Sequence, residues 1–396
     1  MTRRERKLSI GLALTAVAAV IFLFVITDNV IEAPGGSLLH QAVTNLKNVI
    51  APAPNIDIGP QQALANPPAV IKAIYSTNWS AASEKKIQYF LNLLNTTELN
   101  AIVIDIKDYT GVITWPTIIP RINVLIKRFH DANVYVIGRI AVFQDGVLVK
   151  VRPDLALHSS STGAVWGDRK NVHWLDTASQ DVWDYNVQIA KDALSRGFDE
   201  INFDYIRFPS DGNISDIRYP FYDRVTPKPT VLHKFFGYMR SQLPSARLSA
   251  DLFGEATYTD ESGIGQRMKD ALGEFDAIAP MVYPSHYANG FRDHPNPALA
   301  PYDVVHYSLD QALWKALQYE KTAPTSTPRT ATYRPWLQDF SLGATYTADM
   351  VRAQIQALDD LNASSSASGG FSEPLISGWM LWNAENVYTK AALLPE

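Results

Sequence analysis

"EINFDYIRF", residues 200–208, is a short apolar run interrupted by an amide and a carboxylate. In an extended strand successive side chains point to opposite faces. Ile201, Phe203 and Tyr205 then share one face, suited to packing under helices, and Asn202 and Asp204 share the other. An apolar side chain would pack better at 204, because an ionised carboxylate in a dry interior costs several kcal/mol unless neighbours compensate it. Asp204 therefore marks an inner face that opens into a pocket, and the fold follows from asking what closes around it.

Seven further runs have the same strand-like length: 70–76, 101–107, 134–143, 247–253, 276–283, 333–340 and 378–384. Amphipathic segments such as "SEKKIQYFLNLLN", "SQDVWDYNVQIAKDALSRG" and "TADMVRAQIQALDDLN" lie between most of them. Eight strands alternating with helices predict a (β/α)8 TIM barrel over residues 70–396. A doubly wound open sheet would show a Gly-rich phosphate turn after its first strand, and "YSTNWS" is not one. The long segments 144–180 and 284–307 each follow a strand, on the side of such a barrel that builds clefts. "NASSSASGG", residues 362–370, follows a helix and reads as a loop on the opposite side.

Strand parity gathers more polar groups. In 101–107, Asp105 and Lys107 oppose Ile102, Ile104 and Ile106. In 247–253, Ser249 and Asp251 oppose Leu248, Ala250 and Leu252, and Glu255 follows at the same parity. Four carboxylates and a lysine are thus expected to meet at one pocket. Asp105 and Lys107 read either as an internal ion pair or as substrate-positioning groups. Two carboxyl groups flanking a glycosidic bond, one protonated and one ionised, are the minimal machinery of glycoside hydrolysis. Asp204 is the candidate nucleophile or base, with Glu255 or Asp251 as proton donor.

Composition narrows the alternatives. A net charge of −5 with mixed signs offers no broad basic surface, so nucleic acid is not an expected partner. Absence of cysteine excludes disulfides, thiolate metal sites and a cysteine nucleophile. No HExxH, CxxC, EF-hand or P-loop pattern occurs, and neither a metal nor a cofactor is expected. Aromatic residues make up 11% of the chain, compatible with a sugar cleft and equally with a large core. In "GDRKNVHWLD", residues 167–176, His173, Trp174 and Asp176 are either sugar contacts or parts of a loop that packs one Trp.

The N-terminus decides topology. "MTRRERK" precedes "LSIGLALTAVAAVIFLFVIT", residues 8–27, long enough at about 1.5 Å per residue to cross a bilayer. The expectation is a basic cytoplasmic tail and transmembrane anchor over 1–27, embedded in lipid through 8–27. A Pro/Gly-rich linker over 28–69 and an extracytoplasmic barrel would follow. Secretion after cleavage is the alternative. Oligomeric state is not readable.

"VHWLDTASQDVWDYNVQIAKDALSRGFDEINFDYIRFPSDG", with "LSADLFGE", "DAIAPMVYPSHY" and "SGWMLWNAEN", closely resembles a bacterial glycoside-hydrolase-like TIM-barrel domain family over residues 70–392. The resemblance implies action on polysaccharide, with Asp204 at the acidic position of the strand-four motif and Asp251 and Glu255 in the strand-five element. "APMVY" and "GWMLW" are similar to elements of chitinase-type barrels, which implies that Tyr283 hydrogen-bonds near the reaction centre and Trp382 floors the sugar site. Arg207 and Asn202 join them as sugar-positioning groups. A chitinase-type strand four ends in Asp-x-Glu, whereas here Asp204 is followed by Tyr205 and Ile206, which argues against substrate-assisted hydrolysis. Two functions follow: a glycoside hydrolase of cell-envelope or extracellular polysaccharide, or a catalytically silent barrel that binds glycan. A lyase or transglycosylase in the same pocket is a third.

Overall fold

The computed structural model describes residues 57–260, 263–322, 331–367 and 375–395. The anchor and basic tail expected over 1–27 lie outside these residues, as does most of the linker. No helix among the described residues is long and apolar enough to cross a membrane.

The barrel strands are β1 (Ile71–Ser76), β2 (Ala101–Lys107), β3 (Tyr135–Ala141), β4 (Glu200–Asp204), β5 (Leu248–Phe253), β6 (Ala277–Met281), β7 in two pieces (Thr332–Tyr333 and Trp336–Gln338) and β8 (Gly378–Trp382). All pair in parallel with their sequence neighbours, and β8 pairs with β1. The first piece of β7 pairs with β6 and the second with β8. Trp336 opposite both Met281 and Met380 closes the ring. The break in β7 falls at Pro335, whose nitrogen has no proton to donate to a ladder. The major helices are α1 (Glu84–Leu94), α2 (Ile122–Asp131), α3 (Gln180–Arg196), α4 (Lys228–Gln242), α5 (Met268–Ala271), α6 (Pro301–Thr322) and α7 (Ala348–Ala367). The (β/α)8 reading thus holds, although α5 is a single turn and β8 is followed by the 3-10 turn Lys390–Ala392.

Two local expectations change. Helix α7 runs through Ala367 and so takes in the start of the stretch read as a loop, because Ala and Ser cost a helix little. Strand β4 stops at Asp204, since Tyr205 adopts φ 53°, a left-handed conformation that turns the chain out of the sheet.

Outward strand residues such as Ile104, Ile201, Phe203 and Leu252 join the helices in the main core. Inward residues, among them Ala73, Val103, Ile137, Ala279 and Met380, form a second apolar cluster inside the barrel. Lower in the barrel the interior is polar yet closed. Glu200 pairs there with Arg334 and accepts from the Ser249 hydroxyl at 2.6 Å and the Tyr135 hydroxyl at 3.2 Å. Part of the expected linker belongs to this body. The Asp57 carboxylate accepts the Asn123 and Val124 amides at the start of α2, and Leu64 packs against the inner cluster.

Lys107 departs from its parity. The ladder between β2 and β3 pairs Asp105 with Arg139 but Lys107 with Ile140, a bulge that shifts the register by one residue. A one-residue slip reverses the face of a side chain. Lys107 consequently points away from the barrel, where Nζ meets Asp145 Oδ2 at 2.8 Å with both side chains fully buried. The ammonium also lies 5.0 Å from the Tyr185 ring centre, on α3. The ion pair read between Asp105 and Lys107 does not form: Lys107 pairs with Asp145 and Asp105 with Arg139. Lys107→Ala strands the Asp145 carboxylate and is expected to cost about 3–5 kcal/mol. Combining Lys107→Met with Asp145→Leu should recover most of that loss in urea titrations.

Candidate active site

The centre of the site is a residue that the sequence reading passed over. Arg139 lies on β3 at the same parity as Tyr135 and Ile137, and its guanidinium is surrounded by carboxylates from three other strands. Nη1 donates to Asp105 Oδ1 at 2.5 Å, and Nη2 and Nε donate to Asp204 Oδ2 at 2.5 and 3.1 Å. Asp251 Oδ2 is 3.8 Å from Nε. Each acid has a further fixed donor. The Tyr75 hydroxyl donates to Asp105 at 2.5 Å, the Tyr205 amide to Asp204 Oδ1 at 2.5 Å, and Asn202 Nδ2 and Trp336 Nε1 both to Asp251 Oδ1 at 2.8 Å. Asp105, Asn202, Asp204 and Asp251 therefore converge as parity predicted.

Aromatic rings wall the cluster. Tyr75 stacks on Trp382 at 4.0 Å, and Trp336 stands edge-on to Trp382 at 5.6 Å. Arg139 lies 5.2 Å from the Trp382 ring centre, so Trp382 borders the acidic cluster. Tyr283 packs edge-on against Phe340 at 5.6 Å. Burial, with the Asp251 and Asp204 charges, pushes its phenol well above the usual range.

Three carboxylates share one guanidinium, so they cannot all be cheaply ionised. Burial raises Asp251 well above the usual carboxylate range, and the Asp204 charge adds to that, while Arg139 opposes both. Burial likewise raises Asp105, against the pull of Arg139 and Tyr75. Exposure separates their roles: side-chain accessibility is 10% for Asp204, 2% for Asp105 and 1% for Asp251. Asp204 is itself buried, but it is the least buried of the three. Asp251 is the buried acid beneath it, holding its proton where an ordinary Asp would not.

That proton has a measurable consequence. A carboxyl whose folded pKa is raised stabilises the fold fully below the unfolded value near 3.9, and loses that contribution as pH climbs through the folded value. Asp251→Asn removes the penalty of ionisation. Its stability relative to the wild type is expected to rise as pH climbs above about 4 in urea titrations; a difference independent of pH would contradict the assignment.

Other expected site residues lie elsewhere. Glu255 is exposed on the 3-10 turn Gly254–Thr257 after β5 and makes no hydrogen bond or ion pair to the Arg139 cluster. Trp174 is fully buried, so its face is not open for sugar stacking. Its indole donates to Asp168 at 3.3 Å and its ring lies against Arg207 at 4.7 Å. Asp176 is also buried, accepting the backbone amides of Ala178, Phe221 and Tyr222. His173 is half-buried, with Nδ1 3.1 Å from the Trp166 carbonyl. Tyr205, expected under the helices, is swung by its left-handed backbone to lie 5.9 Å from both Arg139 and Arg207. Among the described residues no group of three His, Asp or Glu side chains is placed to hold a metal ion.

A parallel barrel with acids and aromatic rings at the C-terminal ends of its strands is the architecture of a glycoside-hydrolase-like domain. Residues 73–388 match the family described as "Putative glycosyl hydrolase domain", and the chain belongs to that family. No curated protein sequence matches it. Among solved structures, it is similar to a hypothetical protein from Ruminiclostridium thermocellum (39% identity, 45% of this chain and 96% of that one, TM-score 0.41). It is similar to an α-galactosidase from Thermus thermophilus in complex with stachyose (14% identity, 84% and 65% covered, TM-score 0.46). It is also similar to the glycoside hydrolase domain of PelA from Pseudomonas aeruginosa (10% identity, 83% and 98% covered, TM-score 0.40).

Proposed function

We propose that this protein hydrolyses glycosidic bonds in cell-envelope or extracellular polysaccharide, with Asp204 as nucleophile or base. One observation carries the reading: Asp204, the last residue of β4, is the least buried of three acids from β2, β4 and β5 gathered on one arginine. Asp204 Oδ2 and Asp251 Oδ2 both neighbour Arg139 Nε, at 3.1 and 3.8 Å. The two oxygens are therefore no more than about 7 Å apart, which makes Asp251 the neighbour of Asp204 but not its catalytic partner. Arg139 and the Tyr205 amide fix the Asp204 carboxylate toward the anomeric carbon. Glu255, exposed beyond β5, is the proton donor in this reading. Asp251 has both its Oδ1 bonds taken from below and too little accessible surface to reach a leaving group. Burial strengthens its hold on its proton, which leaves Arg139 committed to Asp204. Trp382 supplies the floor and the Tyr283 hydroxyl a hydrogen bond to the sugar. Residues 8–27 would tether this activity outside the cytoplasm.

The separation of Glu255 from the acidic cluster favours a second reading, a glycan-binding barrel without turnover. Incubating the full chain with a panel of bacterial polysaccharides, and reading new reducing ends by mass spectrometry, distinguishes the two. Hydrolysis predicts shortened products from at least one polymer. Saturable binding without products would leave only the binding module.

A further inference from the structure

Arg207 lies just beyond β4, with its guanidinium between the rings of Trp174 and Phe253, 4.7 Å from each. Nη1 donates to the Phe208 carbonyl and the Ser210 hydroxyl, both at 3.1 Å. The residue is 9% exposed. Two other buried arginines, Arg139 and Arg334, are each paired with a carboxylate. Arg207 is buried as they are, yet among the described residues no carboxylate forms an ion pair with it.

A guanidinium taken out of water without a counter-charge is costly, and aromatic faces offset only part of that cost. Burial accordingly draws the Arg207 guanidinium below its ordinary range, against the pull of the Tyr205, Asp204, Asp211 and Asp168 charges. A planar fork with donors still uncommitted is suited to bidentate binding of an oxyanion. The location adds the function. Tyr205 lies between Arg207 and Arg139, 5.9 Å from each, and Phe253 ends β5, the strand that carries Asp251. An anion on Arg207 would therefore sit beside the reacting sugar.

We infer that Arg207 selects acidic polysaccharide, binding a carboxylate or sulfate substituent on a sugar at the mouth of the barrel. This rests on the glycoside hydrolase reading for the site's location, and it names the substrate class. Neutral sugars would leave the guanidinium without an ion pair, its acidic neighbours Asp204, Asp211 and Asp168 being more distant, whereas an anionic substituent supplies one.

The test uses the full chain carrying Asp204→Asn, so that ligand persists, and isothermal titration calorimetry. The probes are trigalacturonate and a hyaluronan tetrasaccharide, each beside its carboxyl-reduced counterpart, and a sulfated galactan oligosaccharide beside its desulfated form. At least one acidic probe is expected to bind about 10- to 100-fold more tightly than its neutral counterpart. The uronate and sulfate arms separate the two substituents. Adding Arg207→Gln should abolish the preference, and Arg207→Lys should retain part of it. If Arg207→Gln fails to fold, the acidic-to-neutral ratio with Arg207 intact, together with the lysine variant, still decides. Equal binding of every acidic probe and its neutral form, or a preference that survives Arg207→Gln, overturns the inference. The two proposals fail separately: cleavage of polysaccharide with no acidic preference removes this one alone, and Arg207-dependent preference without cleavage by the wild-type chain removes the hydrolase reading alone.

Discussion

Asp204→Asn is expected to lower the rate of glycosidic cleavage by about 10³-fold or more, while the protein remains folded. The amide keeps the size of the carboxylate, and its single oxygen can still accept from Arg139, although its NH2 then faces the Tyr205 N–H and that bond is lost. The amide cannot form a covalent bond to the anomeric carbon or take a proton from water. The fold should tolerate the change because Arg139 keeps Asp105 as a partner at 2.5 Å. Asp251 can also assume more negative charge once the Asp204 charge, one of the influences that raises it, is gone. Steady-state assays on the polymer cleaved by the wild type, alongside circular dichroism, check both parts. A variant that retains full rate would remove Asp204 from the mechanism.

Arg139→Met should have a large effect on stability. The substitution preserves much of the apolar stem but leaves Asp105, Asp204 and Asp251 facing one another with no cation. Breaking one partner out of a buried ionic cluster costs about 3–5 kcal/mol. At about 2–4 °C per kcal/mol for a domain of this size, the melting temperature should fall by roughly 6–20 °C. The sign of the pH dependence is fixed by the same charges. Without Arg139 the acids hold their protons to higher pH, so the deficit shrinks as pH falls and the carboxyls become neutral. Thermal melts from pH 4 to pH 8 measure this, and a deficit below about 1 kcal/mol at pH 7 would contradict a central role for the arginine.

The barrel was legible because period-two alternation survives wherever a strand is regular. The inward placement of Asp105, Asn202, Asp204 and Asp251 follows from their neighbours Ile104, Ile201, Phe203 and Leu252, which must face the helices. Parity fails where the backbone leaves the strand. A bulge between Asp105 and Lys107 turns the lysine outward, and the left-handed φ of Tyr205 leaves its ring against the main core yet 5.9 Å from Arg139. Glu255 lies on a 3-10 turn, where alternation has no meaning, so its parity with Asp251 carried no information.

Arg139 was within reach of the same logic. Val136, Gly138 and Ile140 share one face of β3, which leaves Tyr135, Ile137 and Arg139 on the other. An arginine at inward parity opposite three acids is the counter-charge those acids require. Tyr75, Trp336 and Tyr205 were less accessible to reasoning of this kind. An aromatic side chain at a strand end packs equally well in a core, and only the three-dimensional register brings Tyr75 within hydrogen-bonding distance of Asp105.

For Asp204 to act as proposed, sugar must react at the mouth between β4 and β5. A crystal structure of the full chain carrying Asp204→Asn, with an oligosaccharide of the cleaved polymer bound, tests that most directly. The expected density places an anomeric carbon against the amide that replaces the Asp204 carboxylate, the ring over Trp382 and the glycosidic oxygen within hydrogen-bonding distance of Glu255. Oligosaccharide bound away from this mouth under saturating conditions, with that amide untouched, would contradict it.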